Sequence, residues 1–179
     1  MGRMMHQYYC TRAEPEKNFI KPGFGFVARQ EARLWTVVGA GVAITLFDRK
    51  LRIGGMAHYT RPFRQSGSVS NAFFAAPAII WLLRQLMTYG SRKEHLEAQL
   101  FGGAVSSEVG GYVPQLHRQN VQVGMEILKR EGLKLGLTEV GGERGRKVLF
   151  NSGTGESAVA WVNNIRAADW YPSIASEAR

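Results

Sequence analysis

The chain reads Thr36-Val-Val-Gly-Ala-Gly-Val-Ala-Ile-Thr-Leu-Phe-Asp48 and, four residues later, Ile53-Gly-Gly-Met-Ala-His-Tyr59. In the first stretch Val42, Ile44 and Leu46 alternate with Ala43, Thr45 and Phe47, the period-2 pattern of a buried strand. Asp48-Arg-Lys-Leu-Arg52 reads as the polar turn of a hairpin, and the second stretch as its return strand. Gly54 and Gly55 there permit a bulge or a close backbone approach.

A turn centred between Arg49 and Lys50 sets Gly41 against His58. Opposed residues of an antiparallel pair project from the same face of the sheet, so a nucleophile at position 41 would meet an imidazole. That is an arrangement for covalent catalysis, in which a histidine takes a thiol or hydroxyl proton and returns it to the leaving group. Only the imidazole is present here, because Gly39-Ala-Gly41 has no reactive side-chain atom. A lone strand histidine is more often structural than catalytic, and a one-residue slip of register would separate the two positions.

Outward from this hairpin, Lys21-Pro-Gly-Phe-Gly-Phe26 is apolar and β-prone. An amphipathic helix is predicted from about Pro77 through Ile80, Leu83 and Met87 to Tyr89, with Gly90 as its stop signal. Leu96-Glu-Ala-Gln-Leu-Phe101 follows as a strand. A second helix starts near Arg118 or Asn120 and carries Val121, Gly124, Met125 and Leu128 on one face. Three β-prone segments close the pattern, Leu133 to Val140, Arg146 to Phe150 and Ser157 to Val162. Strands before and after two helices, with hairpin-like connections, predict an α+β fold: a layered antiparallel β assembly covered on one side by the two helices. The expected organisation is a loose lead-in over 1–20, one domain over 21–165 and a tail over 166–179.

Composition bounds the function. The 179 residues are 45% hydrophobic and 21% charged, which suits one globular domain. The longest apolar run, Ala72 to Leu83, is interrupted by Pro77 and is shorter than the ~20 residues of a membrane-spanning helix. No membrane insertion is expected, and the amino terminus lacks the apolar segment of a secretory signal, so a cytoplasmic protein is expected. Cys10 is the only cysteine, which rules out an internal disulfide and a cysteine-rich metal site. The net charge of +9 suits an acidic partner, but the basic residues are dispersed without an aromatic platform, and no nucleic acid is expected.

The motifs resemble those of the chemoreceptor glutamine deamidases, the CheD family. Its signature is a Thr, two apolar residues, Gly-Ser-Cys-Val and a short strand ending in Asp, then Gly-Gly-Met-Asn-His and a nearby Pro. This chain has Thr36-Val-Val-Gly-Ala-Gly-Val42, Asp48, Gly54-Gly-Met-Ala-His58 and Pro62. The similarity continues through Leu100-Phe-Gly-Gly-Ala104, Gln119-Asn120, Gly141-Gly-Glu-Arg-Gly-Arg-Lys-Val148, Phe150 and Thr154-Gly155.

The resemblance implies hydrolysis of glutamine side-chain amides on methyl-accepting chemotaxis receptors, and in some members binding of a CheC-type phosphatase. It implies no cofactor and no metal. Its mechanism uses a cysteine thiolate, a histidine that shuttles protons and a threonine that supports the histidine. Thr36 and His58 occupy the last two places, while the cysteine falls on Gly41 and the serine before it on Ala40. The motif's Asn falls on Ala57, its later Arg on Gln119 and its later Asp on Glu139. The resemblance therefore implies a catalytically impaired member, a pseudoenzyme that binds receptor or phosphatase, or else a deamidase whose nucleophile comes from elsewhere, with Cys10 the only thiol available.

Overall fold

The computed structural model describes residues 16–64, 71–105 and 115–170. Among the described residues, nine strands form two sheets. β1 (Glu16–Phe19), β3 (Ala32–Val38), β8 (Gly145–Asn151) and β9 (Ser157–Val162) form a four-stranded sheet in that order. The five-stranded sheet runs β2 (Gly25–Ala28), β5 (Ile53–Tyr59), β4 (Val42–Asp48), β6 (Leu96–Gly102), β7 (Lys134–Val140). α1 (Ala75–Thr88) and α2 (Leu116–Arg130) pack on the five-stranded sheet, and the short α3 (Ala167–Trp170) lies against β3.

These layers enclose two cores, as the alternation of a strand buried on both faces requires. Between the sheets lie Leu34, Val38, Val148 and Phe150 of one and Ala43, Phe47, Met56 and Phe101 of the other. Between the second sheet and the helices lie Val42, Ile44, Leu46, Ala57, Tyr59 and Leu100, against Ile79, Leu82, Leu86, Ile127 and Leu128. β4 is buried at every position because each of its faces meets one core. Each fully buried Leu or Ile contributes about 1.5–3 kcal/mol of transfer free energy.

The α+β class and the helix-covered side are as predicted, but the sheets are mixed. β1 pairs with β3 in parallel, and so does β6 with β7. The second case follows from connectivity, since α2 carries the chain from the end of β6 back to the start of β7, the crossover that parallel strands need. The four-stranded sheet also reaches beyond 21–165. β1 falls in the expected lead-in, and Trp170, in the expected tail, donates its Nε1 hydrogen to Val37 O at 2.8 Å.

Gly124 lets α2 approach this close. A Cβ there would lie 2.3 Å from the Tyr59 hydroxyl, which is buried and donates to Asn120 O at 2.8 Å. The ring is fixed on β5, so the clash cannot be relieved by a flexible tip. Gly124→Ala is expected to destabilise by about 1–3 kcal/mol despite its better helix propensity. Urea unfolding checks this, and a variant as stable as the parent would show that the Tyr59–Asn120 bond holds nothing in place.

Candidate active site

The β4–β5 hairpin differs from the expected register by two residues. Ala43 opposes His58 and Val42 opposes Tyr59, so the turn is centred between Lys50 and Leu51. The cause is Asp48, whose Oδ1 accepts from the N–H groups of both Lys50 and Leu51, at 2.8 and 2.9 Å. Its carbonyl accepts from Arg52 N, and Arg52 adopts a φ of 55°. All four residues 49–52 are thereby drawn into the loop. An even shift preserves the face, so position 41 becomes a diagonal neighbour of His58 on the same side.

The two positions do meet. A Cβ built on Gly41 would lie 3.1 Å from His58 Nε2, 2.9 Å from Tyr59 O and 3.4 Å from Thr60 Cγ2. Gly41 is not among the residues of positive φ, so its backbone conformation does not demand a glycine.

The imidazole is held from both ends. Thr36 Oγ1 lies 3.0 Å from His58 Nδ1 and 2.7 Å from Ile20 O. A hydroxyl has one proton, and the carbonyl, which cannot donate, takes it. Thr36 must then accept from His58, which places the hydrogen on Nδ1 and leaves the Nε2 lone pair facing position 41. His58 is 1% exposed, and burial lowers its pKa from 6.5 to about 3, so the ring is a neutral, oriented base.

The backbone of His58 is fixed by a bulge that opens at Pro22-Gly23. Gly23 N–H donates to His58 O at 2.8 Å, and His58 N–H donates to Phe24 O at 2.9 Å. Two residues therefore oppose one, with Gly23 at φ +80°, the geometry of a glycine bulge. A side chain at Gly23 would also strike the Phe73 ring.

Asn120 closes the site from α2. Its Nδ2 donates to Ala40 O at 2.8 Å and to Thr60 O at 3.0 Å, tying the loop before Gly41 to the end of β5. The loop is also bonded to the end of β6, through Gly103 N–H to Gly41 O and Ala104 N–H to Gly39 O. The sequence shows Asn120 only as a helix-start candidate and part of a motif, because a helical asparagine gives no local sign of which carbonyls it will reach. Among the described residues no group of three or more His, Cys, Asp or Glu is placed to hold a metal ion, and no helix is long and apolar enough to cross a membrane. Cys10 lies outside the described residues.

Residues 60–160 match the family model described as CheD chemotactic sensory transduction. The chain belongs to the CheD family. Its relatives include the probable chemoreceptor glutamine deamidase CheD of Trichlorobacter lovleyi, 32% identical over 78% of this chain and 86% of that protein. The protein of the same description in Ralstonia nicotianae is 32% identical over 97% of this chain and 74% of its own length. In Oleidesulfovibrio alaskensis the figures are 35%, 81% and 72%.

The fold separates the CheD signature positions into two groups. Thr36, His58, position 41 and Asn120 converge. Ala57, by contrast, belongs to the core beneath the helices, on the face of β5 opposite to His58. Gln119 is exposed, and Glu139 is engaged with the buried Arg146, Oε1 to Nη2 3.3 Å.

Proposed function

We propose that this CheD-family chain acts in the bacterial cytoplasm on methyl-accepting chemotaxis receptors, retaining recognition while lacking the thiol step of deamidation. The observation that carries the reading is a glycine, with no side chain, at position 41, set against a histidine whose Nε2 lone pair is aimed there. In the thiol mechanism the attacking sulfur bonds the amide carbon, its proton passes to the imidazole and then to departing ammonia, and water cleaves the thioester. Here His58 can accept a proton, but position 41 has none to give, and Thr60 turns its methyl carbon toward the gap. Removing the nucleophile from such a unit costs a factor of about 10⁴–10⁶ in rate. The partners proposed are the receptors and a CheC-type phosphatase, with the +9 charge steering acidic surfaces in a salt-dependent way.

The test is mass spectrometry of a receptor cytoplasmic domain incubated with the protein, reading the amide-to-acid mass change. No conversion above background is expected. Conversion lost only in Cys10→Ser would assign the nucleophile to Cys10, and conversion that survives both Cys10→Ser and His58→Ala would move the site elsewhere. Low-salt pull-downs are expected to recover receptor or phosphatase. Recovery of neither would overturn the binding role.

A further inference from the structure

The five-stranded sheet ends at β2, which has no strand on its other side among the described residues. Which main-chain groups face outward follows from the ladder. His58 N–H bonds Phe24 O, and Phe26 and Ala28 stand opposite Met56 and Gly54. Antiparallel pairs alternate between bonded and non-bonded, so Phe24, Phe26 and Ala28 spend their hydrogen bonds on β5. The N–H and C=O groups of Gly25 and Val27 point to the open edge.

A groove of about 690 Å³ opens at the start of that edge, between Gly23-Phe24-Gly25 and α1. One wall is the helix row Ala76, Ile80, Arg84, spaced by four residues and apolar for two steps before it becomes cationic. Phe24, 59% exposed, and Trp81, 38% exposed, complete the apolar lining. Large aromatic side chains this exposed on one continuous surface mark interaction sites. Trp81 sits over Gly25, where a Cβ would lie 2.5 Å from its ring, so β2 is bare backbone at this point. At the far end Arg29, directly after β2, lies over the Tyr89 ring at 5.2 Å. The strand and the helix thus run in the same direction, and the cations gather at one end.

We propose that this edge and groove bind an extended segment of a partner protein by strand addition, with bulky apolar side chains at alternate positions against Ile80 and Trp81 and an acidic side chain at Arg84. An open edge supplies main-chain hydrogen bonds, and a flanking helix supplies the side-chain pockets. Charge complementarity selects a foreign acidic segment over a second copy of this chain, because α1 has no acidic residue to match Arg84 across a two-fold axis. The site is distinct from the Gly41 position, although its floor is the Gly23–Phe24 bulge that carries the His58 backbone.

Panning the full chain against a displayed random octapeptide library tests this, with the enriched peptides then synthesised. Enrichment of acidic peptides with apolar residues at alternate positions is expected, with binding weakened at least tenfold by Arg84→Glu and abolished by N-methylation of alternate peptide amides. Slowed deuterium exchange at the Gly25 and Val27 amides is expected on binding. No enrichment over a parallel panning against Arg84→Glu, or enriched peptides that leave those two amides unchanged, would overturn the proposal. So would a dimer in sedimentation whose Gly25 and Val27 amides are already slow to exchange without peptide.

Discussion

Gly41→Cys is expected to be carboxamidomethylated at residue 41 with a rate that depends on His58. The substitution puts Cβ 3.1 Å from Nε2, which brings Sγ, one bond further, within hydrogen-bond reach of the lone pair. A thiol that passes its proton to an imidazole reacts as the thiolate. A pKa one unit below the usual ~8.5 raises the thiolate fraction at neutral pH roughly tenfold. The cost of burial works against this, since the same environment that lowers the His58 pKa to about 3 resists a charged ring. The ion pair forms only if its mutual attraction outweighs that penalty. The 2.9 Å approach to Tyr59 O also requires a small shift of backbone, of the kind that overpacking usually exacts at ~1–3 kcal/mol. The measurement is the alkylation rate of residue 41 against pH in folded protein, with and without His58→Ala. Identical profiles would mean that the two positions do not interact. Adding Ala40→Ser restores a second family residue at the loop and is expected to bring weak deamidation. Ala57→Asn should be left out, because it would bury an amide in the core beneath the helices, where each unpaired polar group costs about 1–3 kcal/mol.

The hairpin was legible because two signals coincided, an apolar β-prone run with period-2 spacing over β4 and a polar turn before paired glycines. β5 occupies the residues expected, and β9 those of the last β-prone segment. The register was not legible in full, because it depends on how many N–H groups the Asp48 carboxylate gathers. The observed shift is even, so it kept Gly41 and His58 on one face where a one-residue slip would have parted them. The parallel partner of β1 was hidden for a different reason. Glu16–Phe19 is a short segment whose strand partner lies across the Pro22-Gly23 turn, and its composition is that of an exposed lead-in. Thr36 could be named from the family signature, but the group that sets its role could not. The carbonyl of Ile20 takes the hydroxyl proton and so dictates the tautomer of His58, and a main-chain atom leaves no mark in sequence.

The same buried imidazole makes stability depend on pH, and the sign is fixed by the direction of its shift. The folded-state pKa of about 3 lies below the unfolded value of ~6.5. Between these limits the unfolded chain binds a proton that the folded chain excludes, so stability rises with pH across that window. The contribution is fully present above about pH 6.5 and is lost as pH falls toward 3, at up to ~1.4 kcal/mol per pH unit. Carboxylates titrate toward the lower end of the window, so the informative comparison is between neutral pH and about pH 5, where His58 alone is expected to remove ~2 kcal/mol. Urea unfolding of the parent and of His58→Asn at both pH values isolates the effect, because the carboxylate contribution is common to both proteins. The parent should lose more stability than the variant by roughly that amount, even though the variant starts lower after losing the ring's packing and its bond to Thr36. Parallel losses would mean that Nε2 reaches water in the folded state. The lone pair facing Gly41 would then be an ordinary solvated group, and the reading of His58 as an oriented, dehydrated base would fail with it.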